Sequence, residues 1–251
     1  MNPIVIIPAR MASTRLPGKP LAMIGDRPMI LHVLERARAA NIGPVVVAVA
    51  EAELAQVVAE AGGTAVLTDP ALPSGSDRVW HALATVDPDG RHDVVVNLQG
   101  DLPGLAPETL AAALLPLADR AVDIGTLVAP VTEPGEARSE SVVKVACAFP
   151  DAASDAAPRA VARALYFSRA AVPWGEGALW HHVGIYAYRR AALARFVALP
   201  EAALERREKL EQLRALEAGM TIGCARIGVA PFGVDTPADL ERARRMLADV
   251  A

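Results

Sequence analysis

Three cations crowd the loop that follows the first apolar segment of the chain. Arg10, Arg15 and Lys19 stand close together, and Ser13 and Thr14 place two hydroxyl groups between them. Main-chain N–H groups beside a glycine can cradle phosphate oxygens while arginine and lysine neutralise their charge, and a glycine directly precedes Lys19. The loop is therefore predicted to bind an anion, with a solvated basic loop as the alternative.

This loop differs from the two commonest phosphate-binding motifs. Gly18-Lys19 is followed by Pro20, and Ser13 stands where a P-loop would have its first glycine. The chain also contains no G-x-G-x-x-G sequence, which argues against a nicotinamide dinucleotide site. The predicted anion-binding loop is therefore neither a P-loop nor a dinucleotide-binding loop.

Two aspartates far apart in the sequence are candidates for metal ligands. Asp101 follows the apolar run Val94 to Leu98, and Gly100 lets a ligand approach the backbone there. Asp235 comes just before Thr236, which is predicted to cap a helix and so leaves Asp235 free for another role. Magnesium prefers one or two carboxylates together with phosphate oxygens and water. A simple turn aspartate remains the alternative for Asp101.

A third polar segment opens a predicted helix at Ser74-Gly75-Ser76-Asp77-Arg78. Hydroxyl groups, free N–H groups and the guanidinium of Arg78 would face a ligand at the start of that helix. An ordinary helix cap explains Ser74 equally well, so both interpretations stay open.

The apolar pattern alternates between buried strands and amphipathic helices over the first half of the chain, which is typical of a parallel α/β sheet. Ligands of such sheets bind at the carboxyl ends of the strands, where the segments above should converge. Beyond about residue 120 the pattern predicts mixed or antiparallel strands. Leu204 to Ala218 is predicted as one helix, with Glu208, Glu211 and Gln212 on a single face.

Composition narrows the class of protein. The 251 residues are 53% hydrophobic and carry a net charge of -4, which gives no electrostatic reason to expect a nucleic-acid partner. Cys147 and Cys224 lack metal-ligand spacing and are predicted to be structural thiols. No apolar stretch approaches the roughly 18 residues of a membrane span, and the amino terminus lacks a signal-peptide pattern, so we expect a cytoplasmic protein without a membrane partner.

Four segments together resemble one family, the 3-deoxy-manno-octulosonate (Kdo) cytidylyltransferases, also called CMP-Kdo synthetases. The segments are Ile6 to Leu21, Gln99-Gly100-Asp101, Ala164 to Ala170 with Val172-Pro173-Trp174, and Gly233 to Pro237 with Asp239-Leu240. The first segment resembles sugar-activating nucleotidyltransferases in general, and the Tyr-Phe-Ser-Arg sequence at 166–169 is specific to this family.

The resemblance implies a Rossmann-like nucleotidyltransferase fold of the α/β class, with a mostly parallel central sheet, helices on both faces and a smaller mixed-strand extension. Residues 1–251 would form one domain, and residues of about 120–200 would add a sugar-binding and dimerisation subdomain. The implied enzyme is a homodimer that uses Mg²⁺ to transfer CMP from CTP to Kdo, an acidic sugar, for lipopolysaccharide biosynthesis.

The resemblance also implies roles for individual residues. Those implied to bind the nucleotide are Pro8, Ala9, Arg10, Arg15, Lys19, Ser74, Gly75 and Arg78. Those implied to act in catalysis are Lys19, Arg10, Asp101 and Asp235, of which Asp101 and Asp235 would hold the metal. Those implied to bind the sugar are Gln99, Arg169, His182, Tyr186, Glu211 and Gln212.

The sequence departs from the family pattern at a few positions. These positions are Ala50-Glu51, Leu102 and Trp180-His181, and the segment between Trp174 and His181 is short. They fall in or near the expected sugar side. A modified Kdo or a sialic-acid-like sugar is therefore an alternative substrate, and a nucleotide-binding regulator without catalysis is an alternative of another class.

Overall fold

The computed structural model describes residues 1–13, 15–133, 135–149 and 160–248. The strands are β1 (Pro3–Ala9), β2 (Met23–Ile24), β3 (Arg27–Pro28), β4 (Val45–Val49), β5 (Thr64–Leu67), β6 (Val94–Asn97), β7 (Ile124–Pro130), β8 (Lys144–Cys147), β9 (Val161–Ser168), β10 (Trp180–Arg189) and β11 (Ile222–Arg226). The α-helices are α1 (Met29–Ala39), α2 (Ala52–Glu60), α3 (Gly75–Val86), α4 (Pro107–Ala112), α5 (Arg190–Ala198), α6 (Ala203–Glu208), α7 (Leu213–Glu217) and α8 (Pro237–Ala248). Short 3-10 helices cover Lys19–Leu21, Leu115–Ala118 and Glu136–Arg138.

The chain forms two compact units. The first contains Met1–Leu110 together with the segment that starts at Pro231, and the second contains Ala111–Ala230. The residues of about 120–200 that were predicted as a subdomain all lie in the second unit, whose roles in sugar binding and dimerisation stay predictions.

The first unit is built on four parallel strands in the order β5-β4-β1-β6. β4 consists of valine and alanine alone, and each of its residues is buried. Such β-branched runs suit a strand that is covered on both faces, as the sequence predicted. Because the strands are parallel, the loops after β1, β4 and β6 leave the sheet at the same edge.

The second unit contains strands of both directions. β7 runs parallel to β11 and antiparallel to β10, while β9 pairs antiparallel with both β11 and β8. The predicted change from parallel to mixed strands is confirmed, as is the α/β fold class. In the described part of the chain, every helix is too short or too polar to cross a bilayer.

The cysteines lie in this mixed part. Cys224 is buried on β11, and Cys147 is half-buried on β8. A hydrogen bond with Cys147 raises the pKa of the Cys224 thiol, and burial raises it further. A thiol held in its neutral form is a poor nucleophile, which agrees with the structural role predicted for it.

The helix predicted over Leu204 to Ala218 is wrong. The structure has α6 and α7 instead, separated by Lys209 in the left-handed conformation with φ 56. The carbonyl groups of Glu208 and Lys209 accept hydrogen bonds from Arg169, at 2.7 and 3.3 Å. These tertiary contacts take carbonyls that a continuous helix would use, so Glu208, Glu211 and Gln212 do not share a helical face.

A small apolar cluster fixes the carboxyl-terminal segment within the first unit. Val234, Leu240 and Ala243 pack with Ile24 and Met29, and all five are buried. Val234 directly precedes Asp235, and Leu240 lies on α8. Burial of these side chains therefore anchors the segment that carries the predicted second metal ligand.

Gly43 supplies a stability prediction, because a Cβ atom there would lie only 2.1 Å from the carbonyl oxygen of Pro3. This close approach joins the end of the α1 to β4 connection to the start of β1. Gly43→Ala forces the backbone apart and is expected to lower the free energy of unfolding by about 1–3 kcal/mol. Urea unfolding measures the change.

Gly104→Ala is the control for this prediction. A Cβ atom at Gly104 would meet only Leu247 Cδ2, at an ordinary 3.9 Å. The control is expected to stay within about 0.5 kcal/mol of the parent. Equal effects of the two substitutions would show that the close approach at Gly43 has no energetic weight.

Candidate functional site

A cavity of about 360 Å³ opens in the first unit where the loops leave the parallel strands. Its lining residues are Pro8, Ala9, Arg10, Ala12, Ser13, Arg15, Lys19, Pro20, Ser74, Gly75, Arg78, Gln99, Gly100, Asp101 and Asp235. Every residue predicted to bind the nucleotide is in this set, together with both predicted metal ligands. Their individual roles stay predictions, but the structure brings them together.

Some lining residues were not assigned a role from the sequence. Ala12, Ser13, Pro20 and Gly100 also face the cavity. Ser13 stands between Arg10 and Arg15, and Gly100 stands between two assigned residues, so adjacency in the sequence was the signal that could have found them. Gly100 packs so closely that a Cβ atom would lie 3.2 Å from the Pro8 carbonyl oxygen.

The cationic loop closes on itself through its backbone. The Gly18 N–H group donates to the Met11 carbonyl at 3.1 Å, and Gly18 has φ 69. This left-handed conformation favours glycine because other residues would strain their Cβ atom. The turn starts the short helix Lys19–Leu21, so Gly18 determines where the Lys19 side chain leaves the loop.

Lys19 joins the two aspartates. Its Nζ atom lies 2.8 Å from Asp101 Oδ2 and 3.1 Å from Asp235 Oδ1. The Val234 N–H group donates to the Asp101 carbonyl at 2.9 Å, which ties the two acidic segments together through the backbone. Arg15 Nη2 also lies 3.1 Å from Asp235 Oδ1, in a more exposed ion pair.

The charges around Lys19 stabilise its ammonium form. Burial is the largest single influence and lowers its pKa, but the charges and hydrogen bonds of Asp101 and Asp235 together outweigh it and raise the pKa above the ordinary value. Lys19 is therefore a permanent cation at neutral pH, suited to bind a phosphate oxygen.

Arg78 places a fourth cation in the cavity wall, after Arg10, Arg15 and Lys19. Its side chain is buried, and its guanidinium donates to the Thr68 hydroxyl and, at 3.3 Å, to the Asp69 carbonyl. Burial lowers the pKa of Arg78, and the positive charge of Arg10 lowers it further. Two guanidinium groups that repel one another at one cavity favour an anionic ligand between them.

Ser74 caps α3, as one of the two interpretations predicted. Its Oγ atom accepts from the Asp77 N–H group at 3.2 Å and donates to Asp77 Oδ2 at 2.7 Å. The cap begins the helix at the cavity wall, where Gly75 packs beside Pro8. Ser74 thus has a structural function in addition to its place in the lining.

Arg169, predicted to bind the sugar, lies in the second unit with its guanidinium engaged by the backbone. It donates to the carbonyl groups of Glu208, Glu140 and Lys209, at 2.7, 2.8 and 3.3 Å. The Glu208 carboxylate also accepts from the Arg169 N–H group and from the Ser168 hydroxyl. Arg169 therefore holds this part of the unit together, and a role in binding a carboxylate stays a prediction.

Three other predicted sugar ligands come together in the second unit. The His182 ring lies 5.5 Å from the Tyr186 ring, and its Nε2 atom lies 3.0 Å from the Thr126 hydroxyl. Burial lowers the pKa of His182 to about 3. Burial also raises the pKa of Tyr186, and the neighbouring charge of Glu211 raises it further. Both rings are neutral at physiological pH.

The two remaining predicted sugar ligands lie in different units. Gln99 lines the cavity of the first unit, where its Nε2 atom lies 3.4 Å from Asn97 Oδ1. Gln212 is buried at the start of α7 in the second unit.

The donor set at Asp101 and Asp235 fits magnesium bound together with a phosphate ligand. Within the described residues there is no cluster of three or more His, Cys, Asp or Glu side chains that could hold a metal alone. Two carboxylates beside a cation-lined cavity are suited to an ion whose other ligands are phosphate oxygens and water.

Comparison with known proteins identifies the family. A family model described as cytidylyltransferase matches residues 4–222. A 3-deoxy-manno-octulosonate cytidylyltransferase of Rhodospirillum centenum is 62% identical over 98% of this chain and 93% of its own length. One of Methylobacterium radiotolerans is 60% identical over 98% of this chain and 97% of its own length.

A solved structure shares the whole fold. It is described as CMP:2-keto-3-deoxy-manno-octonic acid synthetase complexed with CTP, and it superposes with a TM-score of 0.89 at 37% identity over 100% of both chains. The fold and the cavity define a nucleotidyltransferase. The chain belongs to the 3-deoxy-manno-octulosonate cytidylyltransferase family, as the sequence predicted.

The start of α8, next to Asp235, gives a prediction about pH. Burial alone would raise the pKa of Asp239, but hydrogen bonds from the Thr236 hydroxyl and from the N–H groups of Thr236 and Asp235 lower it below the usual value. This stabilisation is present above the unfolded pKa of about 3.9 and is lost as pH falls through the lower folded pKa. Asp239→Asn is expected to lower the free energy of unfolding by about 1 kcal/mol at pH 7, with a smaller loss below about pH 4.

Urea unfolding at several pH values measures this effect, and Glu241→Gln is the matched control on the same helix. Glu241 pairs with Arg244 on the surface and is expected to contribute little. A pH-independent loss in Asp239→Asn would contradict a charge-based cap.

Proposed function

We propose that this protein transfers CMP from CTP to the anomeric hydroxyl of Kdo, which yields CMP-Kdo and pyrophosphate for lipopolysaccharide biosynthesis. One observation carries the proposal: Lys19, Asp101 and Asp235 meet in a cation-lined cavity. High identity to relatives with this activity in their names supports Kdo as the sugar.

The reaction is an in-line displacement at the α-phosphorus, so positioning and charge neutralisation matter more than a protein nucleophile. Arg10, Arg15 and Lys19 would neutralise the triphosphate and hold pyrophosphate as it leaves. Lys19 is the most buried of these cations, which suits it to stabilise charge that builds up on the phosphate oxygens in the transition state.

Asp101 and Asp235 would hold magnesium beside the triphosphate. The bound ion would supply charge neutralisation at the phosphate oxygens and a lower pKa for the attacking hydroxyl. The hydrogen bond from the Val234 N–H group to the Asp101 carbonyl holds together the two segments that carry these carboxylates. This assignment rests on their geometry and on the chemistry of oxygen ligands.

His182 and Tyr186 are two residues of the second unit that are proposed to bind the sugar. His182 and Tyr186 are neutral, so they can exchange hydrogen bonds with sugar hydroxyl groups without adding charge. Gln99, Arg169, Glu211 and Gln212 are the further residues proposed to hold the acidic sugar.

The departures from the family pattern weigh little against Kdo, because the structure gives several of them local roles. Leu102 is buried beside Gly233. The Trp180 ring is buried between Phe149 and the guanidinium of Arg226. Glu51 accepts a hydrogen bond from the Met11 N–H group and so supports the cationic loop.

We also propose that the enzyme is a homodimer and works in the cytoplasm. The homodimer rests on the family resemblance alone. The cytoplasm is where CTP, a substrate of the proposed reaction, is available to an enzyme.

The proposed reaction predicts magnesium-dependent pyrophosphate release only when CTP and Kdo are both present. Asp101→Asn and Asp235→Asn are each expected to lower turnover by at least about 100-fold, since each removes a charged ligand that stabilises the transition state. A coupled pyrophosphate assay measures the rate, and circular dichroism checks that the variants fold.

Asp26→Asn is the matched control, since Asp26 is exposed and does not line the cavity. Its rate is expected to equal that of the parent. Normal turnover in Asp101→Asn or Asp235→Asn would remove that residue from the metal site. A panel of sugar acids tests the substrate: turnover with a sialic-acid-like sugar and none with Kdo would overturn the assignment of Kdo.

A further inference from the structure

The ammonium group of Lys19 lies between the two carboxylates that are proposed to bind the metal. Asp101 Oδ2 and Asp235 Oδ1 both accept hydrogen bonds from the same nitrogen, at 2.8 and 3.1 Å. Lys19 and Asp101 are largely shielded from water, with side-chain exposures of 17% and 25%. The carboxylates are thus paired with a cation that belongs to the protein.

A divalent ion and this ammonium group cannot use the same two oxygens at once. Magnesium binds carboxylate oxygens at about 2.1 Å, so an ion shared by these oxygens would lie close to Nζ. Like charges repel strongly at short distance when water is partly excluded. An ion held between these two oxygens therefore requires the ammonium group of Lys19 to move away from them.

We propose that Lys19 and the divalent ion compete for Asp101 and Asp235, so that the ion binds tightly only when a triphosphate offers the ammonium group another anionic partner. This inference rests on the metal role proposed above for the two aspartates. Binding of metal and binding of triphosphate are then positively coupled through one side chain, and the free protein has a low affinity for the ion.

Arg15 is a second, weaker competitor for one of the carboxylates. Its guanidinium pairs with Asp235 alone, and its side chain is 60% exposed. Exposed ion pairs contribute little because water and salt screen them. Lys19 is therefore the main competitor, and Arg15 is an internal comparison for it.

The experiment measures Mn²⁺ binding to the protein without nucleotide, by electron paramagnetic resonance of free Mn²⁺. Manganese accepts the same carboxylate and water ligands as magnesium. Lys19→Met is expected to tighten Mn²⁺ binding by on the order of tenfold, because it removes the competing cation. Lys19→Arg keeps a charge at this position and is expected to bind Mn²⁺ as weakly as the parent. Arg15→Met is expected to have a smaller effect than Lys19→Met.

Two further variants separate local competition from net charge. Arg36→Met removes one positive charge from α1, outside the cavity lining, and is expected to leave Mn²⁺ binding unchanged. The double variant Lys19→Met/Asp101→Asn is expected to lose the added affinity. Lys19→Gln is a second neutral variant, which keeps the test valid if Lys19→Met does not fold.

The outcomes distinguish this inference from the proposed function. If neutral variants at Lys19 bind Mn²⁺ no more tightly than the parent, while Asp101→Asn still abolishes turnover, competition is overturned and the proposed function stands. An equal gain in Arg36→Met would also overturn competition, since net charge would then explain the effect. If the double variant keeps the added affinity, the ion is not held at Asp101, and the metal site of the proposed function fails as well.

Discussion

The cavity of the first unit depends on one contact, in which the ammonium group of Lys19 lies between two carboxylates. Asp101 and Asp235 lie 82 and 216 residues away along the chain, so the contact exists only if strand, loop and carboxyl-terminal segment are all correctly placed. The parallel sheet brings β1 and β6 side by side, and the apolar cluster around Val234 holds the last segment. The chemistry of the cavity is therefore a consequence of how the unit is closed.

The same contact explains why acids and bases can share a small cavity. Carboxylates alone would repel a triphosphate, and cations alone would repel a metal ion. Paired as they are, Lys19 and the two aspartates hold one another in place until ligands of opposite sign arrive. The repulsion between Arg10 and Arg78 indicates a part of the cavity where positive charge is in excess. Excess positive charge beside a balanced group suits a ligand that brings phosphates and a cation together.

The sequence predicted the first unit well because its signals are local. The buried run of β1, the apolar run of β6 that precedes Asp101 and the Thr236 cap beside Asp235 each specify their structure over a few residues. The predicted helix over Leu204 to Ala218 failed because its helical pattern was overridden by a distant residue. Arg169 captures the carbonyl groups at Glu208 and Lys209, and no local pattern reveals that contact.

The role of a cation depends on which groups it contacts in the folded protein, and the sequence alone does not identify these contacts. Lys144 is buried on β8, and its ammonium group donates to the carbonyl groups of Ser139, Val142 and Arg169, at 2.8, 2.7 and 2.6 Å. Burial lowers its pKa, and the charge of Arg169 lowers it further. Backbone carbonyls are fixed by the fold and cannot rotate away to bind a ligand, so Lys144 has a structural role. Lys19 instead pairs with side-chain carboxylates. In the exchange proposed above, these carboxylates would bind a metal while Lys19 turns to a phosphate. Lys19 and Lys144 carry the same charge. The side-chain carboxylates that Lys19 contacts are what distinguish it as a residue of the cavity.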